Sequence, residues 1–302
     1  MNKNQLGTSD LLVSEIGFGC MTIGTEEQTG VRLIHEALDR GINLLDTADL
    51  YDSGRNEEIV GLALKGRRQD VILATKVGNR RIPDHEGWVW DASKAYILSA
   101  VKESLRRLQT DYIDLYQLHG GTLDDPIDET IEAFEQLKKE GLIRHYGISS
   151  IRPNVIREYV SRSSIVSVMN QYSILDRRAE EEVLPLLEKN GISVIARGPV
   201  ASGNLADGGE QKAAKGYLDY NESELLEIRS KLAQVAAGTC TLSQLAIRYS
   251  LAAPAVASAI AGASSLKQLD ENVGASAIPP LSDKVLGQIR QISRANRYTQ
   301  HR

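Results

Sequence analysis

Short apolar runs alternate with longer amphipathic stretches along almost the whole chain. Residues 16–20, 43–47, 71–77, 113–118, 145–148, 166–169, 192–196 and 256–261 are such runs, each rich in Ile, Val and Leu. Runs this short and this continuously apolar are the pattern of strands buried on both faces. The stretches between them carry a helical period. Over residues 127–137, Ile127, Ile131, Phe134 and Leu137 fall at three- and four-residue steps, which gathers them on one face. Pro126 suits the first position of that helix and Gly141 its end, while Glu135 and Lys139 stand four apart in the favourable order. Residues 93–108 repeat the plan, with Ala100, Leu105 and Leu108 facing inward.

Eight such units in strict β–α order require a mostly parallel sheet, and their lack of interruption predicts a closed (β/α)₈ TIM barrel rather than an open doubly wound sheet. Residues 1–302 are expected to form a single barrel domain. Three segments break the rhythm: 79–91 after the third run, with both tryptophans; 203–220 after the seventh; and a polar tail, 295–302, behind a last helix near 283–294. Residues 5–7 and 12–14 predict a small hairpin closing the barrel bottom. Long loops after barrel strands lie on the face where barrel chemistry occurs.

Composition removes several function classes. The net charge of −5 offers no basic excess for nucleic acid. Cys20 and Cys240 are the only cysteines, too few for a disulfide framework or a zinc cage, and read as small buried hydrophobes in a reducing compartment. The polar start, Met1 to Gln5, has no apolar run behind it, and no segment approaches about 18 uninterrupted apolar residues. A cytoplasmic location, with no membrane partner, is the expectation. Gly17-Phe18-Gly19 begins a dinucleotide fingerprint, but Thr22 stands where its third glycine belongs, and no P-loop sequence occurs.

Four ionisable residues sit at or just past the ends of three successive runs. Asp46 ends the second, Tyr51 follows five residues later, Lys76 ends the third and His119 ends the fourth. Neighbouring strands are about 5 Å apart, so these side chains can converge at one mouth of a barrel. Asp46 and Lys76 alone would fit a buried structural ion pair equally well; the four together favour a site. Their chemistry suits carbonyl reduction. Hydride arriving at a carbonyl carbon leaves an alkoxide that needs a proton, and Tyr51 can supply it. A nearby ammonium such as Lys76 lowers a phenol's pKa, with Asp46 holding that ammonium charged and aimed. His119 can orient the carbonyl oxygen. No side chain carries hydride, so a nicotinamide is required.

Asp46-Thr47-Ala48-Asp49-Leu50-Tyr51 resembles the DTAxxY segment of the aldo-keto reductase superfamily. Thr75-Lys76, the DYIDLYQLH stretch from Asp111 to His119, Tyr146-Gly147-Ile148-Ser149, the segment from Ile260 to Ser264, and Asp270-Glu271-Asn272 also resemble family motifs in the right order. The likeness spans about residues 5–290. It implies a tetrad of Asp46, Tyr51, Lys76 and His119, and NADP(H) extended across the barrel mouth, NAD(H) being the less expected cofactor. By this resemblance Gly19, Cys20 and Met21 touch the cofactor, and Ser149 meets the nicotinamide amide. The loop 198–205, with Gly198, Val200, Gly203 and Leu205, covers the pyrophosphate. Gly262, Ser264 and Gln268 meet the 2′-phosphate, and Glu271 and Asn272 the adenine. Without the resemblance, a solvated helix face is the preferred reading of Glu271 and Asn272, and Gly198 and Gly203 read as readily as turn residues.

This chain departs from the common pattern in carrying Ser150 after Ser149, Met169 where the sixth strand commonly offers Gln, and Arg197 where an aromatic often stacks on the nicotinamide. A guanidinium can stack on a π-system or reach a phosphate, and both remain open for Arg197. Residues 262–266 contain no Lys or Arg, and Lys267 is the nearest cation. Trp88 and Trp90 are candidates for an apolar wall of the substrate pocket, or for packing on the barrel rim. Two further classes compete with a reductase of small carbonyl compounds. A cofactor-holding sensor with slow turnover is compatible with Met169 and Arg197. A metal-dependent hydrolase would need several ligands together, whereas His119 ends a strand and His145 begins one. No metal is expected, and oligomeric state stays open.

Overall fold

The computed structural model describes residues 1–82 and 87–302. Eight parallel strands close into a barrel in the order β3 (Ile16–Gly19), β4 (Leu44–Asp46), β5 (Ile72–Val77), β8 (Ile113–Leu118), β9 (Ile143–Ser149), β10 (Ser167–Gln171), β11 (Ser193–Arg197) and β12 (Val256–Gly262), which pairs back to β3. All eight predicted strands are present, with ends shifted by up to two residues. An antiparallel hairpin, β1 (Lys3–Gln5) with β2 (Leu12–Ser14), lies below the barrel. A second, β6 (Asn79–Arg81) with β7 (Trp88–Trp90), rises after β5. The helices are α1 (Glu27–Asp39), α2 (Arg55–Ala63), α3 (Lys94–Leu108), α4 (Ile127–Lys139), α5 (Pro153–Arg162), α6 (Val183–Lys189), α7 (Glu210–Ala213), α8 (Glu222–Ala236), α9 (Leu242–Leu251), α10 (Leu266–Gly274) and α11 (Asp283–Ile292).

Successive strand residues point to opposite sides of a sheet, and this alternation divides the core in two. Leu45, Leu73, Val77, Tyr116 and Leu118 face outward into the layer shared with the helices. Leu44, Ile72, Ala74, Leu115, Met169, Ile195 and Ile260 face inward and fill the barrel, which Leu6, Leu11 and Val13 of the lower hairpin plug from beneath. Continuing the inward register upward places Asp46 above Leu44, Lys76 above Ala74 and Gln117 above Leu115. The periodicity that packs the barrel thus aims these polar groups into its mouth.

Several local expectations are corrected. The first arm of the lower hairpin is Lys3–Gln5, not 5–7, because Leu6 turns into the core and Gly7, at φ +57°, approaches Val166 too closely for a Cβ. Pro126 precedes the first turn of α4 as its N-cap instead of occupying the first helical position. The segment 79–91 is not simply a loop but contains β6 and β7; its residues 83–86 lie outside the described residues. The tail 295–302 is docked: Asn296 Nδ2 donates to Leu175 O (3.2 Å), Tyr298 OH to Asn170 Oδ1 (3.3 Å), and the Asn154 amide to His301 O (2.9 Å).

Candidate active site

A cleft of about 560 Å³ opens at the C-terminal mouth of the barrel. Tyr51, Lys76 and His119 line it, and Asp46 lies beside Lys76. Lys76 is 1% exposed. Its Nζ donates to Asp46 Oδ2 (2.8 Å), to Thr47 O (2.7 Å) and to the Tyr51 hydroxyl (3.2 Å). These three acceptors match the three donors of an ammonium. Burial favours the neutral amine, but Asp46 and Tyr51 outweigh it and hold the Lys76 pKa above its ordinary value. Burial also pushes the Asp46 carboxyl upward against the pull of Lys76. For this coupled pair the ammonium–carboxylate state is the one the geometry supports, because every ammonium proton has an acceptor.

Tyr51 is held by an unusual stretch of backbone. Asp52, Ser53 and Gly54 all have positive φ (46°, 64° and 88°), and the Tyr51 amide donates to Ala48 O (3.2 Å). Left-handed non-glycine residues cost on the order of 1–2 kcal/mol each, so surrounding contacts must fix this turn. Arg107 does so from α3: its chain packs where a Gly54 Cβ would be, and its Nε pairs with the buried Glu57 carboxylate (2.7 Å). The Tyr51 ring meets His119 edge-on, with centroids 5.9 Å apart.

The net shift of Tyr51 corrects the expectation of an acidified phenol. Burial raises its pKa, Lys76 pulls down, and burial wins. His119 is pushed from 6.5 down to about 3 by burial, then by Lys76 and Arg197. Its Nδ1 is buried without a hydrogen-bond partner among the described residues. This imidazole is therefore neutral at physiological pH. The sign for stability follows. The unfolded chain protonates His119 below about pH 6.5 and the folded chain does not until about pH 3, so unfolding takes up a proton in that window. His119's contribution is present above pH 6.5 and lost as pH falls toward 3. Urea unfolding between pH 7 and 4 should therefore show a smaller acid loss of stability in His119→Gln than in the parent; equal slopes would contradict a neutral buried His119.

Two polar contributors were not anticipated. Gln117 is fully buried, its Nε2 3.5 Å from Asp46 Oδ1 and its Oε1 unpartnered. The available signal was its position two residues before His119, on the same strand face. Asn56 links Thr47 Oγ1 (2.7 Å) to Cys20 O (2.8 Å), tying the ends of β4 and β3 together from α2.

The remaining residues continue round the mouth. Gly19 and Gly262 are paired in register on β3 and β12. Cys20 is fully buried, its thiol pushed up by burial, whereas Met21 is 60% exposed at the cleft edge. Ser149, Ser150, Met169 and Arg197 line the cleft from β9 through β11, and Arg197 makes no side-chain hydrogen bond among the described residues. In the loop after β11, Ala201, Ser202 and Gly203 are left-handed, as is Gly198. Val200 O receives the amides of Gly203 (2.9 Å) and Leu205 (3.2 Å), and the Leu205 side chain is buried in the core. Ser264 donates to Gln268 Oε1 through its amide (2.8 Å) and hydroxyl (3.0 Å). Asn272 Nδ2 donates to Gly262 O (3.1 Å), and Glu271 accepts from Thr241 (2.9 Å) and Ser243 (2.7 Å). Glu271 and Asn272 are thus engaged, not a purely solvated face.

Trp90 sits on the rim, its ring where Cβ atoms of Gly78 and Gly120 would be, and its Nε1 donates to Asp125 Oδ1 (2.8 Å). Trp88 is 52% exposed, and both tryptophans border the cleft. His145 lies at the opposite end of the barrel from His119, bonded to Asp10 beside the lower hairpin (2.7 Å). Among the described residues no group of three or more His, Cys, Asp or Glu is placed to hold a metal.

A parallel barrel with a buried Lys–Asp pair beneath a tyrosine and a neutral histidine defines a class of oxidoreductase. The chain belongs to the aldo/keto reductase family, whose model matches residues 15–294. It is 55% identical to the uncharacterized oxidoreductase YqkF of Bacillus subtilis (strain 168), over 100% of both chains. It is similar to the solved holo form of aldo-keto reductase AKR11C1 from Bacillus halodurans, with a TM-score of 0.93 and 58% identity, covering 100% of this chain and 99% of that one. It is also 33% identical to an NADH-specific methylglyoxal reductase of Escherichia coli (strain K12), over 98% of this chain and 99% of that protein.

Proposed function

We propose that this chain, acting as one barrel domain in the cytoplasm, uses NADPH to reduce an aldehyde or ketone, with Tyr51 as the proton donor. The observation that carries the reading is the Lys76 ammonium, held at once by Asp46 (2.8 Å) and the Tyr51 hydroxyl (3.2 Å) on the floor of an open cleft. The bound nicotinamide would supply hydride; the chain's residues do the rest. Tyr51 is protonated at neutral pH, burial holding its pKa above the ordinary value, and the Lys76 ammonium 3.2 Å away pulls in the direction that donation needs. Lys76 stabilises the phenolate left behind, and Asp46 keeps Lys76 aimed. Neutral His119 presents a ring nitrogen toward the carbonyl oxygen without competing as an acid.

The nicotinamide end would be held by Ser149 and Arg197, whose uncommitted guanidinium can lie against a planar ring. Gly19, Cys20, Met21, Gly198, Val200, Gly203 and Leu205 would follow the cofactor toward its phosphates. Ser264, Gln268 and the start of α10 would take the far phosphate, since a helix N-terminus favours negative charge. An NAD-preferring site commonly offers a carboxylate to the ribose 2′-hydroxyl. Here Asp270 is paired with Arg40 and Glu271 is bonded to Thr241 and Ser243, while Lys267 stands at the helix start with its Nζ 3.3 Å from Asp207 Oδ2, so both the nearby carboxylates and the nearby cation are engaged. The absence of a free carboxylate at Asp270 or Glu271 is what supports NADPH, with NADH the alternative raised by the NADH-specific relative.

The test is a titration with NADPH and NADH followed by tryptophan fluorescence, then addition of a generic aldehyde. Saturable quenching that favours NADPH, with fast oxidation of the bound cofactor, is expected. Better binding of NADH would overturn the cofactor preference alone. Tight binding with slow oxidation would replace the enzyme by a cofactor sensor, and no binding, checked by calorimetry, would withdraw both.

A further inference from the structure

Two guanidinium groups besides the Lys76 ammonium reach the cleft. Arg197 ends β11; Arg152 follows β9 and precedes α5 as its N-cap. The Lys76 charge is balanced by Asp46. Among the described residues no carboxylate comes within 4.0 Å of either arginine, and no Asp or Glu lines the cleft. Among the described residues, then, the charge of these two arginines is uncompensated. The cofactor reading uses Arg197 and leaves Arg152 without a role.

Arg152 is held, but incompletely. Its Nη1 donates to Gly121 O (2.6 Å), and its Nε and Nη2 have no hydrogen-bond partner among the described residues. The acid on the loop next to it is already used: Asp125 Oδ1 accepts from Trp90 Nε1 (2.8 Å) and the Thr122 hydroxyl (2.9 Å), and Oδ2 from the Thr122 amide (2.7 Å). One bond thus fixes the head group and leaves part of a planar fork uncommitted. Ile151, Trp88 and Trp90 supply apolar wall in the same cleft. A charge contact gains strength beside such a wall, and the guanidinium fork matches a carboxylate.

We propose that Arg152 is a specificity residue that binds a carboxylate on the substrate, so that the preferred substrates are aldehydes or ketones bearing an acid group remote from the reacting carbon. This rests on the reductase reading for the carbonyl, though not for the anion. The site lies in the same cleft as the tetrad, so one substrate spans both: its carbonyl at Tyr51, its carboxylate at Arg152.

The test compares 4-carboxybenzaldehyde with 4-carbamoylbenzaldehyde, whose planar amide matches the carboxylate in shape and carries no charge. The acid is expected to have a kcat/KM about tenfold higher, the scale of one hydrogen bond to a charged group. The ratio should fall toward one in Arg152→Met, be partly retained in Arg152→Lys, and shrink with added salt. A ratio near one in the parent protein, or an equal loss for both aldehydes in Arg152→Met, would overturn the proposal; the second result would leave Arg152 as a prop for Gly121 only. Binding separates the two readings. 4-Methylbenzoate, which has the acid and no reducible carbonyl, should quench the fluorescence of the parent saturably and not that of Arg152→Met. If it does so while neither aldehyde is turned over, the reductase reading fails and the anion site stands. If it quenches both proteins equally, the anion site fails.

Discussion

Tyr51→Phe is expected to lower kcat by about 10²–10⁴-fold, the usual scale for a positioned acid, while NADPH binding stays intact. The substitution removes one oxygen and little else. The ring keeps its edge contact with His119, and Lys76 Nζ keeps two of its three acceptors, Asp46 and Thr47 O. The left-handed turn behind it depends on Asp52, Ser53, Gly54 and Arg107, none of which touches the hydroxyl in the interactions described. A fall confined to kcat, with unchanged fluorescence titration by NADPH, is the expected signature. Turnover within a few-fold of the parent would remove Tyr51 as the proton donor, and with it the reading of the tetrad.

The second large effect is on stability as well as turnover. In Lys76→Met the Asp46 carboxylate stays buried and loses its cation, and among the described residues the distant Gln117 Nε2, at 3.5 Å, is then its only side-chain donor. Breaking a buried pair in this way costs about 3–5 kcal/mol. The variant should therefore unfold at markedly lower urea and lose carbonyl reduction. Combining it with Asp46→Asn removes the stranded charge, so the double variant should recover much of the stability and none of the activity. That split separates the two roles. If the double variant were no more stable than Lys76→Met, the pair would not be coupled as described; if Lys76→Met retained turnover, its ammonium would have no part in the chemistry.

Much of this site was legible because it is built on strands. A strand buried on both faces must be apolar throughout, so Asp46, Lys76 and His119 stood out as polar groups ending apolar runs. The alternation that sends Leu44 and Ala74 inward carries Asp46 and Lys76 with them. The hairpin of β6 and β7 was not legible for the same physical reason inverted. Asn79, Arg80 and Arg81 pair with Trp90, Val89 and Trp88 respectively, so one arm is polar and neither shows a periodic apolar face. What holds it is Trp90 seated over Gly78 and Gly120 and bonded to Asp125, contacts between residues remote in the chain. Arg152 carries no signal in the sequence, since a lone arginine before a helix proline looks like any solvated cap.

The sequence by itself determined the number and order of the barrel strands and the candidate tetrad, since these follow from local periodicity, residue type and motif; which strand residues face the barrel interior came from the structure. Tertiary structure decided the charge states. The direction of the Tyr51 pKa depends on how far burial exceeds the pull of Lys76, and the neutrality of His119 on burial beside Lys76 and Arg197. Desolvation depends on everything that surrounds a group, and no stretch of chain contains that information until the barrel has closed.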